Sequence, residues 1–217
     1  MKKLLICATA AVFMLSCNNE KKNMDATSSA DSSKMSTAAK PADTVQAAIP
    51  DSATMMKAWK AYMTPGEEHK MLAKSNGKWE EDMKMYMSPD APPQTMKSSC
   101  ENTMILNGLY QVSVHKGMYN GMPFEGRSTL AYNNAAKKYQ STWIDNMGSG
   151  IMNMEGKWDD ASKMLIMSGT ETDPVTGKDI PVRETMKFPD DNNQVMEMFE
   201  TRGGKESKVM AINFKRQ

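Results

Sequence analysis

The sequence predicts an antiparallel all-β domain, a meander of about ten strands closed into a barrel and preceded by a short helical lead-in. Three observations carry that expectation. After Gly77 apolar residues alternate with polar ones at period two. Turn signals such as Asn107-Gly108, Asn120-Gly121, Asp173-Pro174 with Thr176-Gly177, and Gly203-Gly204 interrupt the alternation roughly every ten to fifteen residues. The connections are short, so consecutive strands pair as hairpins, and a long meander escapes bare edges by closing on itself.

Ahead of the strands, residues 1–16 combine Lys2-Lys3 with an apolar run from Leu4 to Leu15, the layout of a secretory signal. The ending Leu15-Ser16-Cys17 resembles the lipobox of bacterial lipoproteins. The resemblance implies cleavage before Cys17 and acylation of its thiol, a lipid anchor at Cys17 in the bacterial cell envelope, facing the periplasm or the surface. The apolar run is far shorter than the roughly 20 residues of a membrane-spanning helix, so acyl chains are the expected membrane contact. Residues 17–50 are mostly Ser, Thr, Ala, Asp, Asn and Lys without an aromatic. They lack the apolar area to offset ordering and are expected to form a disordered linker.

The helical lead-in spans 51–76. Asp51-Ser52 offers a cap for a helix carrying Met55, Met56, Trp59, Tyr62 and Met63, and Thr64-Pro65-Gly66 stops it. A second helix starts at Pro65, places Glu67 and Glu68 in its first turn where the dipole favours acids, and ends at Asn76-Gly77. The barrel occupies 77–217, with strands expected at 78–87, 95–105, 109–116, 124–132, 138–145, 151–158, 163–172, 180–188, 194–201 and 207–215.

Charge and cysteine use exclude several classes. The chain has 27 basic and 26 acidic residues; removing residues 1–16 takes Lys2 and Lys3 with it, leaving 25 against 26, a net charge of minus one. A nucleic-acid binder needs a basic face to release counterions, so no nucleic-acid partner is expected. Of three cysteines, Cys7 lies in the signal and Cys17 would be acylated. Cys100 is then the single free thiol and no internal disulfide can form.

Five blocks stand out between about Thr64 and Phe214: Pro65-Gly66-Glu67-Glu68-His69, Gly77-Lys78-Trp79, Gly121-Met122-Pro123-Phe124-Glu125-Gly126, Ser141-Thr142-Trp143-Ile144-Asp145-Asn146-Met147 and Asp173-Pro174-Val175-Thr176-Gly177-Lys178. Through them the chain resembles an uncharacterised bacterial family, domain of unknown function 1579. A second similarity is to the calycin barrels, the lipocalins and fatty-acid-binding proteins. Their mark is Gly-x-Trp on the first strand, here Gly77-Lys78-Trp79. That resemblance implies a calycin-like barrel with a basic residue of the last strand, Lys215 or Arg216, over the indole.

Methionine is abundant at 24 residues and is placed at strand period. Met83, Met85 and Met87 alternate on one strand, Met152 and Met154 on another, and Met196 and Met198 on a third, which predicts shared faces and core packing. The functional expectation is noncovalent binding of a small apolar or amphipathic molecule in the lumen, with Trp79, Met83, Met85, Trp143, Met152 and Met154 as wall residues. Two alternatives stand beside it: a structural or interaction module with a filled barrel, and a Cu(I) protein using the Met-x-Met pairs. His69 and His115 read as surface or capping residues and Cys100 as a small buried hydrophobe. Glu125 and Arg127 share a strand face opposite Phe124, Leu130 and Tyr132 and are expected to point outward. No Gly-x-Ser-x-Gly, His-Glu-x-x-His or phosphate loop is present, so neither an enzyme nor a cofactor is expected.

Overall fold

The computed structural model describes residues 49–88 and 91–217. The expected Cys17 anchor and signal, nearly all of the expected linker and the Pro89-Asp90 pair lie outside the described residues. Ten strands follow one another: β1 (Gly77–Met85), β2 (Gln94–Ile105), β3 (Tyr110–Tyr119), β4 (Met122–Asn133), β5 (Lys138–Asp145), β6 (Met152–Asp159), β7 (Met164–Thr172), β8 (Asp179–Asp190), β9 (Asn193–Arg202) and β10 (Lys205–Arg216). Each pairs antiparallel with its sequence neighbours, and β1 pairs with β10 to close the barrel. The all-β expectation holds, with shifts of one to three residues at several strand ends. β3 and β4 run on to Tyr119 and Met122 because Asn120 (φ 49°) and Gly121 (φ 80°) form a two-residue turn with both residues left-handed. β1 stops at Met85, leaving Met87 off the strand and 65% exposed.

The two helices are those expected. In α1 (Ser52–Tyr62) the Asp51 carboxylate accepts the Thr54 amide at 3.0 Å. No α1 residue is buried; Asn134 Nδ2 ties its end down by donating to the carbonyls of Ala61, Tyr62 and Thr64. In α2 (Glu67–Lys74) His69 Nδ1 accepts the Gly66 amide at 3.0 Å, so the capping role expected of His69 is present, but the residue is buried rather than on the surface. The last α2 carbonyls lack the full set of i+4 amide donors; Ser75 at the C-cap donates to Leu72 O, and barrel side chains add further donors. Gln111 Nε2 donates to Leu72 O at 2.7 Å, while Trp79 Nε1 and Asn102 Nδ2 donate to Ser75 O at 2.9 and 3.0 Å.

Closure is secured where β1 meets β10. Trp79 is fully buried opposite Arg216, whose guanidinium lies 4.2 Å from the indole centroid. The same guanidinium donates to the carbonyls of Lys74, Asn76 and Asp191 at 2.6 to 2.8 Å. Arg216 is therefore the cation over the indole; Lys215 sits opposite Glu80 and is exposed. Inside, one apolar cluster forms around Trp79, Met83, Cys100, Ile212 and Phe214, and another joins Leu72, Tyr139, Met154, Leu165, Met167, Val182 and Met198.

Replacing Arg216 with Ala removes the ring contact and leaves the three carbonyls without their charged donor, and the expected cost is about 2 kcal/mol. Arg216→Lys should recover less than half of it, because an ammonium has no fork. Urea unfolding reads both; an Arg216→Ala midpoint equal to wild type would remove the clamp from the account.

Candidate functional site

Period two along β1 places Trp79, Glu81 and Met83 on one face, and that face is the barrel interior. Glu81 is 1% exposed and opposes Ser98 on β2. One strand further, Cys100 on β2 opposes His115 on β3. These three inward side chains meet. His115 Nδ1–H donates to Glu81 Oε1 at 2.7 Å, and Ser98 Oγ donates to the second carboxylate oxygen. With the proton on Nδ1, it is Nε2 that faces Cys100 Sγ, at 3.7 Å. The thiol donates to Asn102 Oδ1 at 3.1 Å. Burial, and then the Glu81 charge, push the Cys100 thiol well above its ordinary range, against a smaller opposing pull from a Ser113 hydrogen bond.

Trp143 on β5 completes this wall by reaching across β4. His115 pairs with Gly126, and a Cβ at Gly126 would stand 2.4 Å from the indole, so the missing side chain is the space the ring fills. The indole meets the imidazole edge-on, centroids 5.1 Å apart, and Trp143 Nε1 donates to Asp145 Oδ2 at 2.7 Å. From β8, on another part of the wall, Glu184 faces inward with Val182, close enough to His115 for their charges to interact. Burial raises the Glu184 carboxyl to about 7, with His115 pulling the other way. Glu171 on β7 is also pushed up, by burial and by the Glu200 carboxylate beside it, while Arg202 opposes that shift and pairs with Asp173 at 2.6 Å.

The six expected wall residues all turn inward but do not form one surface. Trp79, Met83 and Met85 belong to the cluster containing Cys100, Met154 is buried in the second cluster with Met152 packed against it, and Trp143 stands beside His115. Inward residues of the β4–β6 arc, including Ser128, Ser141, Trp143 and Met152, remain only half-buried. Two surface depressions lie elsewhere. One of about 450 Å³ runs between α2 and Tyr132, Tyr139 and Trp158; one of about 360 Å³ is lined by Met83, Met96 and neighbouring residues. Neither borders the Glu81–His115–Cys100 group. Glu125 and Arg127 face outward, as their strand pattern implies, and pair with each other at 2.8 Å.

Two readings are corrected. His115 is no surface residue: its side chain is 12% exposed and hydrogen-bonded to Glu81. Cys100 is buried as expected but is hydrogen-bonded rather than merely packed. Glu81 was hidden in the run Glu80-Glu81-Asp82, which looks solvated. The signal that finds it is parity, since Trp79 and Met83 flank it two residues away on each side.

Fold and interior together define a small closed barrel capped by a helix, with a buried acid–imidazole–thiol group on its inner wall. The chain belongs to the family described as protein of unknown function DUF1579, whose family model matches residues 64–216. No curated protein matches it. Among solved structures it is similar to Rv2717c from M. tuberculosis, with a TM-score of 0.54 at 11% sequence identity, covering 71% of this chain and 99% of that one. At that identity the likeness is one of fold.

Glu184 generates a pH prediction. Its carboxyl is raised in the folded state to about 7 from about 4.3 in an unfolded chain. The folded state therefore holds the proton longer, and the stability this contributes is complete below the unfolded value and lost as pH rises through 7. Glu184→Gln should match wild type in urea midpoint at pH 4.5 and exceed it at pH 8. Equal midpoints at both values would mean that Glu184 is not desolvated.

Proposed function

We propose that this chain is a lipid-anchored protein of the bacterial cell envelope whose barrel binds a small apolar or amphipathic molecule without transforming it. The observation that carries the reading is the hydrogen-bonded Glu81–His115 pair on the inner wall of a barrel that also holds two apolar clusters rich in methionine. A filled structural barrel gains nothing by burying a carboxylate and the imidazole that holds it, since apolar residues of similar volume pack there at equal or lower free energy. A binding lumen does gain, because a few convergent polar groups orient a mostly apolar guest. Trp143, Met152 and Met154 would supply the apolar wall, with Trp79, Met83 and Met85 behind the polar group. The acyl chains expected on Cys17 would be the membrane contact.

The order Cys100–His115–Glu81 has the connectivity of a nucleophile, base and orienting acid. Two features favour binding over catalysis. The thiol is held protonated by burial and by the neighbouring carboxylate, and its S–H is already committed to Asn102.

Native mass spectrometry of the full-length protein, purified in detergent from its own host, should show a mass adduct that leaves on unfolding; the bare polypeptide and its acyl chains alone would sink the binding reading. Separately, Cys17→Ser should move the protein from the membrane to the soluble fraction and abolish the acyl mass. Retention of either would end the anchor assignment.

A further inference from the structure

We propose that Cys100 and His115 form a binding site for a zinc-class divalent ion, with Glu81 as the positioning residue. The donor types are those zinc takes: a thiolate, an imidazole and oxygen. Donor atoms of Glu81, Cys100 and His115 all lie within 4.8 Å of one another, and all three residues are buried. Cys100 Sγ and His115 Nε2 stand 3.7 Å apart. Bonds of about 2.3 Å to sulfur and 2.0 Å to nitrogen at a tetrahedral angle separate the two donors by roughly 3.5 Å. The pair is thus already spaced as two ligands of one ion.

Glu81 supplies what such a site needs behind its ligands. By accepting the Nδ1 proton at 2.7 Å it fixes the tautomer that turns the Nε2 lone pair toward the sulfur. Carboxylate–histidine–metal arrangements share this feature. Ser98 holds the other carboxylate oxygen, and Trp143 packs against the imidazole, so ring and acid are both fixed in place. On binding, the thiol proton leaves to solvent and the freed sulfur lone pair forms the metal bond. Thiolate and Glu81 carboxylate together balance the two positive charges, leaving the buried group neutral. Asn102 Oδ1, 3.1 Å from the sulfur, is the nearest further oxygen donor. This site goes beyond the ligand-binding reading and stands or falls without it.

The test is titration of the metal-stripped, full-length protein in detergent with Co²⁺, then with Zn²⁺. The expected result is one Co²⁺ per chain, with the near-ultraviolet sulfur-to-cobalt band and the visible bands of a tetrahedral ion, all displaced by Zn²⁺. Cys100→Ser should lose the sulfur band. His115→Gln should weaken binding at least tenfold. Glu81→Gln should weaken it about 10- to 100-fold while keeping the band, which loss of fold would not do. Cys17→Ser should keep both band and affinity. Absence of the sulfur band from the wild-type chain at saturating Co²⁺ overturns the proposal without reference to any variant, as does an unchanged band in Cys100→Ser.

Discussion

The pairing of β1 with β10 is the constraint on which the rest of this structure depends. Every other strand contact joins sequence neighbours and would survive in an open sheet, but only closure gives the sheet an inside. Once Trp79 is enclosed under Arg216, the face that carries it becomes interior all the way to Met83, and Glu81 has to be desolvated with it. The acid is held by His115 and Ser98 from the adjacent strands, and those bonds exist because the register puts β1, β2 and β3 side by side. The helix cap depends on the same closure, since Trp79, Asn102 and Gln111 donate to its last carbonyls from inside the barrel.

The interior is therefore uneven in a way that bears on function. One side holds the hydrogen-bonded polar atoms of Glu81, His115, Cys100 and Asn102 beside Trp79 and Met83, and much of the rest is methionine, leucine and tyrosine. Methionine suits a wall that must adapt, because its unbranched side chain repacks at small cost. The polar side is the opposite: its groups are fixed by one another, and removing any one leaves a buried partner unsatisfied. The inner surface thus has one rigid station and a compliant remainder.

Fold and site differed in how legible they were. The strands could be read because turns such as Asn120-Gly121 and period-two alternation are local, and closure followed from their number and short connections. The site could not be read the same way, because β3 inverts the usual rule. Gln111 and Ser113 are buried with His115 on its inner face, while Val112 and Val114 lie on the outer one. An eye that sends apolar residues inward assigns His115 to solvent. Glu81 escaped for a related reason, since its acidic neighbours mask the Trp79–Met83 parity. Glu184 sits next to Arg183 and invites a surface pairing, yet Arg183 bonds Glu206 instead. What no single strand can reveal is which inward residues meet across a closed sheet, and the site is made of such meetings.

The meander also determines how the chain reaches its native state. Nine of its ten strand pairings join consecutive strands, so most of the sheet can assemble from local hairpins at little loop-closure cost. The tenth joins Trp79 to Arg216, almost the whole length of the domain apart. Until it forms, β1 and β10 are bare edges at which another copy can add a strand. The lifetime of that open sheet, rather than the stability of the finished barrel, then governs how much of the newly made protein escapes aggregation.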